Sequence, residues 1–402
     1  MNRTAVSLLS SVIFKNVLND CVIKAFIGAL NELEKGSLEK ILKSYSFFIS
    51  LLYEREENQN IYNYLKFLLY TDENILSKNQ KINNYSTVLD TAAYELSLLD
   101  NLLKHDYYFF KASLEGRFPD NMDIIKHLPK FYTESRMTFS LDDIIKSYKT
   151  NGFGIYACYN AFKFTEDKEI LPVRSFEKIS FSMLKNYEYQ KKVLYDNTKA
   201  FLEGKEACSI LLYGDRGCGK SSSVKALINE FSAYNLKIIQ VTKESFKYLA
   251  DLYEKIRVLP LKFIIFADDI SFEEDDDNFS EIKSALEGSL CRKPENVLIY
   301  AASNRIHLIK ENFSSREGDE VHLNDTIDET ASLSDRFGIV LAFSLLTKNE
   351  YLDIVKKIAE DYGINADSSM LQKAEQFAAL KGIRTPRTAR QFIACFNTGA
   401  DI

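Results

Sequence analysis

Residues 211–223 read LLYGDRGCGKSSS, and this string constrains the fold of the chain more tightly than any other. It satisfies G-x-x-x-x-G-K-[ST] through Gly214, Gly219, Lys220 and Ser221. The pattern has meaning only between a buried strand and a helix start, and the sequence supplies both. Residues 209–213 are a short apolar run suited to a parallel strand, and residues 221–234 have helical spacing and good helix formers. A strand, a glycine loop and a helix N-terminus together turn free N–H groups toward an anion, which makes a phosphate cradle. Its residues are Gly214, Asp215, Arg216, Gly217, Cys218, Gly219, Lys220, Ser221 and Ser222. Lys220 then reaches terminal phosphates and Ser221 offers its hydroxyl to Mg²⁺, so a nucleoside triphosphate is the expected ligand.

The rest of the chain is read around that loop. At 402 residues two or three folding units are expected. No apolar run is long enough to span a bilayer, and the N-terminus lacks a cleavable signal pattern. A net charge of −6 argues against broad nucleic-acid binding by bulk charge and leaves only a local basic patch open. The six cysteines are scattered without a C-x-x-C pair, which points to reduced thiols in the cytoplasm rather than to zinc or a disulfide framework.

Residues 1–114 contain no proline and few glycines, and apolar residues recur at helical spacing, as in Ile41, Tyr45, Phe48, Leu51 and Leu52. This predicts an all-helical N-terminal domain, with the stripe Tyr107, Tyr108, Phe109 and Phe110 read as core. Residues 115–180 bring in Pro119, Pro129 and Pro172 and read as a connector with little regular structure, in which 152–164 could hold a short strand or hairpin. Residues 181–346 alternate as α/β, with strands expected at 209–213, 237–241, 263–267, 296–301 and 339–343. Helices are expected between them at 221–234, 244–257 and 279–290. Residues 347–402 hold only helices, at 349–362, 368–380 and 386–397, and form a lid. The fold class is therefore α/β, a parallel sheet core with a phosphate loop and a C-terminal helical lid behind a helical N-terminal domain.

Further residues fit the same chemistry. The strand FIIFADDI delivers Asp268 to the carboxyl edge of the sheet, where an acid holds Mg²⁺ beside Ser221. Asn304 closes the next strand and is placed to orient water against a γ-phosphate. Arg336 stands just before the last strand, and Arg387 at the start of the last lid helix, where Pro386 suits the first turn. Cys218 lies near a helix N-terminus and two residues from Lys220, both of which favour a reactive thiolate. A small loop residue without redox meaning is the plainer reading.

In combination these motifs resemble the AAA+ ATPases, over residues 181–402. The lid string TPRTARQF is similar to that of branch-migration motors in that superfamily. The strings NYEYQ, GDRGCGKSS, FADDISFEE, LIYAASNR and SLSDRFG resemble a bacterial family of ATP-binding proteins catalogued as a domain of unknown function. The resemblance implies ATP and Mg²⁺ as cofactors, with Lys220 on the phosphates and Ser221 and Asp268 on the metal. It makes Asn304 the first sensor, Arg336 an arginine finger acting on a neighbour, and Arg387 the second sensor, with Arg390 as the alternative. Tyr187 falls where the superfamily meets adenine. A homo-oligomer in the ATP state is implied, with a protein client recruited by the helical N-terminal domain.

Two departures bear on function. After Asp268 most members of the superfamily carry Glu; here Asp269 is one methylene shorter, and a base must come within about 3 Å of the water it polarises. Asp269 serves slowly, or Glu273 or Glu274 substitutes; the run 273–277 otherwise reads as a solvated acidic loop. Phe246 and Tyr248 stand without flanking glycines and read as core rather than as a gripping pore loop, which disfavours an unfoldase. The expected function is ATP hydrolysis at a shared subunit interface to drive or switch a client. The alternative is a nucleotide-gated adaptor, akin to a helicase loader, with negligible turnover.

Overall fold

The structure is a computed structural model and describes residues 7–8, 10–55, 60–78, 86–133, 138–270, 272–273, 293–304, 309–310 and 337–398. It falls into two compact units, Met1–Cys158 and Tyr159–Ile402. No helix among the described residues is long and apolar enough to cross a membrane.

The first unit is helical. Its longer helices are α1 (Cys21–Lys35), α2 (Leu38–Tyr53), α3 (Ile61–Thr71), α4 (Ser86–Leu103), α5 (Tyr107–Arg117) and α6 (Leu141–Asn151). Side-chain oxygens of Asp20, Ser37, Asn60, Asp106 and Ser140 cap helix starts, satisfying N–H groups that the helix itself leaves free. The core is aromatic: Phe26, Tyr45, Phe48, Phe110 and Phe131 pack with ring centroids 4.8 to 6.4 Å apart. Glu95 is buried on α4, and its carboxylate accepts the backbone N–H groups of Val12 (2.6 Å) and Phe14 (2.9 Å). The aromatic stripe is only half core. On α5, Tyr107 and Phe110 are buried, whereas Tyr108 is 71% and Phe109 41% exposed, because a 3.6-residue period cannot bury four consecutive side chains on one face.

The segment 115–180 is not a separate connector. Its first part, including α6, belongs to the helical unit, and its second part supplies two strands to the sheet of the other. These are β1 (Ala161–Phe164) and β2 (Ile170–Pro172), a hairpin in which β1 also pairs in parallel with the strand at 237–241.

The remaining strands are β3 (Ile210–Gly214), β4 (Lys237–Val241), β5 (Phe263–Ala267), β6 (Val297–Ser303) and β7 (Ile339–Phe343). The sheet runs β2-β1-β4-β5-β6-β3-β7, parallel throughout except at the β2 edge. β5 and β6 are buried along their whole length, as strands covered on both faces must be. Helices α7 (Glu188–Leu202), α8 (Lys220–Glu230) and α9 (Leu249–Ile256) accompany the sheet. A 3₁₀ turn at Phe246–Tyr248 precedes α9; Phe246 is buried core and Tyr248 is half-buried. The helix expected at 279–290 lies outside the described residues.

Three helices follow, α10 (Lys348–Asp361), α11 (Ser368–Lys381) and α12 (Pro386–Asn397), with their own core around Tyr351, Ile354, Phe377 and Phe392. Thr347 and Glu350 form a reciprocal capping box on α10, and Thr385 caps α12 ahead of Pro386.

Gly214 is the tightest point of the sheet. It pairs with Phe343 on β7 at φ 139°, and a Cβ there would lie 2.1 Å from the Phe343 carbonyl oxygen. Gly204, at φ 76°, has nothing within 4 Å of such a Cβ. Gly214→Ala should therefore cost about 3 kcal/mol or more, combining overpacking with backbone strain, and Gly204→Ala only about 1 kcal/mol. Denaturant unfolding of the two variants checks the contrast; equal losses would remove the close approach as the cause.

Candidate functional site

The carboxyl ends of β3, β5 and β6 bring the chemistry together. Between β3 and α8 the loop passes through Gly217 at φ 85° and Gly219 at φ 94°, values that favour glycine. This curls the loop so that the Lys220 side chain folds back beneath it. Lys220 is 7% exposed, and its ammonium donates to the carbonyls of Gly214 (2.5 Å) and Asp215 (2.9 Å) and to Asn304 Oδ1 (3.1 Å). Burial pulls its pKa down, opposed by Cys218, Asp215, Asp269 and Asp268 nearby.

Asn304 ends β6 with a fixed amide orientation. Its oxygen faces the ammonium and its Nδ2 donates to Asp269 Oδ1. Asp269 follows β5 in the left-handed region, at φ 53°, and its other oxygen lies 3.8 Å from Arg216 Nη2. Next to it Asp268 Oδ1 accepts a 2.5 Å hydrogen bond from Ser221 Oγ. Lys220, Asn304, Asp269 and Arg216 thus form one continuous polar chain.

These groups line a cavity of about 540 Å³ that the lid and the segment before α7 also border. Met183, Tyr187, Ile354 and Ile358 supply its apolar lining. Tyr187 is itself left-handed (φ 60°), packs on Phe343 at 4.9 Å between ring centroids and donates its phenol to the Ser344 carbonyl at 2.6 Å. It touches both the sheet core and the lid core. From the lid, the Arg387 backbone N–H donates to the Gly217 carbonyl at 3.3 Å, and a Cβ on Gly217 would come within 3.2 Å of Arg387 Cβ. Arg387 and Arg390 both line the cavity, and Arg390 Nη2 donates to the Met183 carbonyl at 2.7 Å.

The residues fit a nucleotide with its metal. The cavity has the size of small-molecule sites and a buried cation, Lys220, in its lining. Among the described residues no cluster of three or more His, Cys, Asp or Glu could cage a metal. The Ser221–Asp268 pair is instead the partial oxygen set suited to Mg²⁺, which keeps phosphate and water oxygens in its shell.

Of the residues expected from sequence, the loop, Asp268, Asp269, Asn304, Tyr187 and Arg387 all line this one cavity or, as with Gly214 and Asp215, bond to the lysine within it. Arg336, Glu274 and the acidic run to residue 277 lie outside the described residues, and of Glu273 only the backbone is described, in a two-residue pairing with Ile309–Lys310. Met183, Ile354 and Ile358 were missed. The two isoleucines are an i, i+4 pair on the apolar face of α10, a signal that reads as lid core and does not reveal that it also lines the cavity.

A phosphate loop on the strand between β6 and β7, an order β7-β3-β6-β5-β4 for the five strands from that loop onward, and a helical lid reaching back to it define the AAA+ class of nucleotide-binding fold. Residues 157–399 match the model of the family described as Protein of unknown function (DUF815), and the chain belongs to that family. No curated protein matches it. Among solved structures it is similar to RuvB from Thermotoga maritima. One RuvB variant is 18% identical at a TM-score of 0.39, over 56% of this chain and 67% of that one. The structure titled a Holliday junction branch migration motor is 14% identical at 0.33, over 55% and 72%.

Cys218 follows the plainer of its two readings, a loop residue without a reactive thiolate. It is buried, its Sγ lies 3.9 Å from the Ser344 carbonyl, and burial pushes the thiol pKa up despite Lys220. The helix N-terminus and the lysine are close in sequence, but the sulfur points into the core. In the native protein Cys218 should therefore alkylate at least about tenfold more slowly than exposed Cys21. Mass-spectrometric mapping of timed alkylation reads this directly, and comparable rates would restore the reactive reading.

Proposed function

We propose that this chain binds ATP with Mg²⁺ in the cavity between sheet and lid and hydrolyses it to drive or switch the binding of a client. One observation carries the reading: a buried ammonium, Lys220, faces the cavity beside the Ser221–Asp268 pair, held only by neutral oxygens in its direct hydrogen bonds. A buried cation of that kind is stabilised most by an anion, and phosphate oxygens are the anions this loop geometry accepts.

In this reading the loop N–H groups and Lys220 hold the phosphates, and Tyr187, Ile354 and Ile358 take the apolar part of the nucleotide. Ser221 and Asp268 would hold Mg²⁺, which would supply charge screening when bound. Asp269, aimed by Asn304, polarises water; Arg387, with Arg390 as the alternative, brings the lid onto the phosphates. Arg336 acts on a neighbouring copy, so the active form is a homo-oligomer assembled by ATP, and the helical unit recruits a protein client in the cytoplasm.

A second reading has its own support. Asp269 is short, left-handed and already engaged by Asn304 and Arg216, an arrangement suited to a nucleotide-gated adaptor with negligible turnover.

Lys220→Ala should weaken ATP binding at least about a hundredfold, since a charged hydrogen-bond partner worth about 1.5–3 kcal/mol per contact is lost from the phosphates. Calorimetry giving wild-type affinity would sink the site. Asp269→Asn should keep ATP affinity within about threefold while phosphate release falls at least about a hundredfold. Undetectable release from wild type at every protein concentration would leave the adaptor reading in possession. If the site is shared through Arg336, specific activity should rise with protein concentration, and mixing Arg336→Ala with Lys220→Ala should restore part of it.

A further inference from the structure

The phosphate loop carries an exposed arginine outside both the strand and the helix. Arg216 stands between Gly214 and Lys220, its side chain is 77% exposed, and it lines the cavity. Its guanidinium lies 3.8 Å from Asp269 Oδ2. We propose that Arg216 reads the terminal phosphate and thereby sets the preference of this site for a nucleoside triphosphate over the diphosphate. The inference rests on the nucleotide reading above and extends it to a residue that sequence reasoning treated only as part of the loop backbone.

Position comes first. The cavity has an apolar lining from Met183, Tyr187, Ile354 and Ile358 and a polar one from Lys220, Asp268, Asp269 and Asn304. Arg216 belongs with the second set, because its partner Asp269 is bonded to Asn304, which is bonded to Lys220. A cation there meets the distal phosphates and not the base.

Strength comes second. The Arg216–Asp269 pair is long and both side chains are mostly exposed, so solvent screens it and it holds the guanidinium weakly. A terminal phosphate offers more negative charge and two oxygens that match the guanidinium fork. Exchange of the carboxylate for phosphate is then favourable, and it also frees one oxygen of Asp269. Lys220 cannot confer the same discrimination, since a phosphate-loop lysine serves the β- as well as the γ-phosphate. Only a group that meets the γ-phosphate alone separates ATP from ADP.

The test compares Mg·ATP and Mg·ADP binding to wild type, Arg216→Ala and Arg216→Lys by calorimetry, with a slowly hydrolysed ATP analogue where turnover interferes. Arg216→Ala should lose about tenfold or more in triphosphate affinity while diphosphate affinity stays within about twofold, which also reports an intact cradle. Arg216→Lys should fall between the two, keeping charge but not the fork. Equal losses for both nucleotides would reduce Arg216 to general electrostatics, and wild-type affinity for both would remove it from recognition; either overturns the proposal. If wild type binds neither nucleotide, the site reading itself fails, and this inference fails with it.

Discussion

A buried ammonium without a directly bonded carboxylate organises the C-terminal unit. Lys220 is 7% exposed, and its hydrogen bonds run to two carbonyls of its own loop and to the Asn304 amide. Desolvation makes such a group costly unless its donors are met, so the loop must curl and β6 must end where the amide can reach. The backbone here favours glycine: Gly217 and Gly219 at the positive φ of the curl, and Gly214 at the approach to Phe343 that joins the loop strand to β7. The sheet order that places β6 beside β3 is thus part of the same constraint, since it is what brings Asn304 to the lysine.

The lid is bound into this arrangement rather than merely appended to it. Gly217 meets Thr385 and Arg387, Tyr187 belongs to both cores, and the Ser344 carbonyl receives the Tyr187 phenol close to Cys218. The loop and the start of α12 are thus in direct contact, through the Arg387 N–H bonded to the Gly217 carbonyl. A nucleotide-driven switch of the kind proposed would have to act through contacts of this sort, because a ligand shifts a conformation only through contacts that differ between its states. Asp269 occupies the other branch. Its backbone is left-handed and Asn304 donates to one carboxylate oxygen, while Arg216 stands 3.8 Å from the other.

Much of this was legible in the sequence. The strands expected at 237–241, 263–267 and 339–343 are present with those bounds, because short runs rich in β-branched and aromatic residues leave few alternatives. α12 begins at the expected Pro386, where a proline costs no hydrogen bond. The hairpin β1–β2 was less legible: four residues carry too little periodicity, and β1 is a strand chiefly because β4 offers it an edge. The stripe at residues 107–110 was read by composition, although helical geometry alone divides it into buried and exposed pairs.

By itself the sequence determined the chemistry available: a phosphate loop with its lysine and serine, a carboxylate at a strand end, an amide at another, and arginines in the lid. Residue type and spacing decide these things, because local backbone geometry follows from glycines, caps and apolar periods. Only the tertiary structure decided which of those groups meet. It set Asn304 between Lys220 and Asp269, turned Arg216 toward Asp269, buried the Cys218 thiol and joined residues 159–172 to the sheet. The physical reason is that burial and pairing are properties of neighbours in space. Lys220 and Asn304, or Tyr187 and Ser344, lie far apart along the chain and are brought together only when the sheet closes and the lid packs on it.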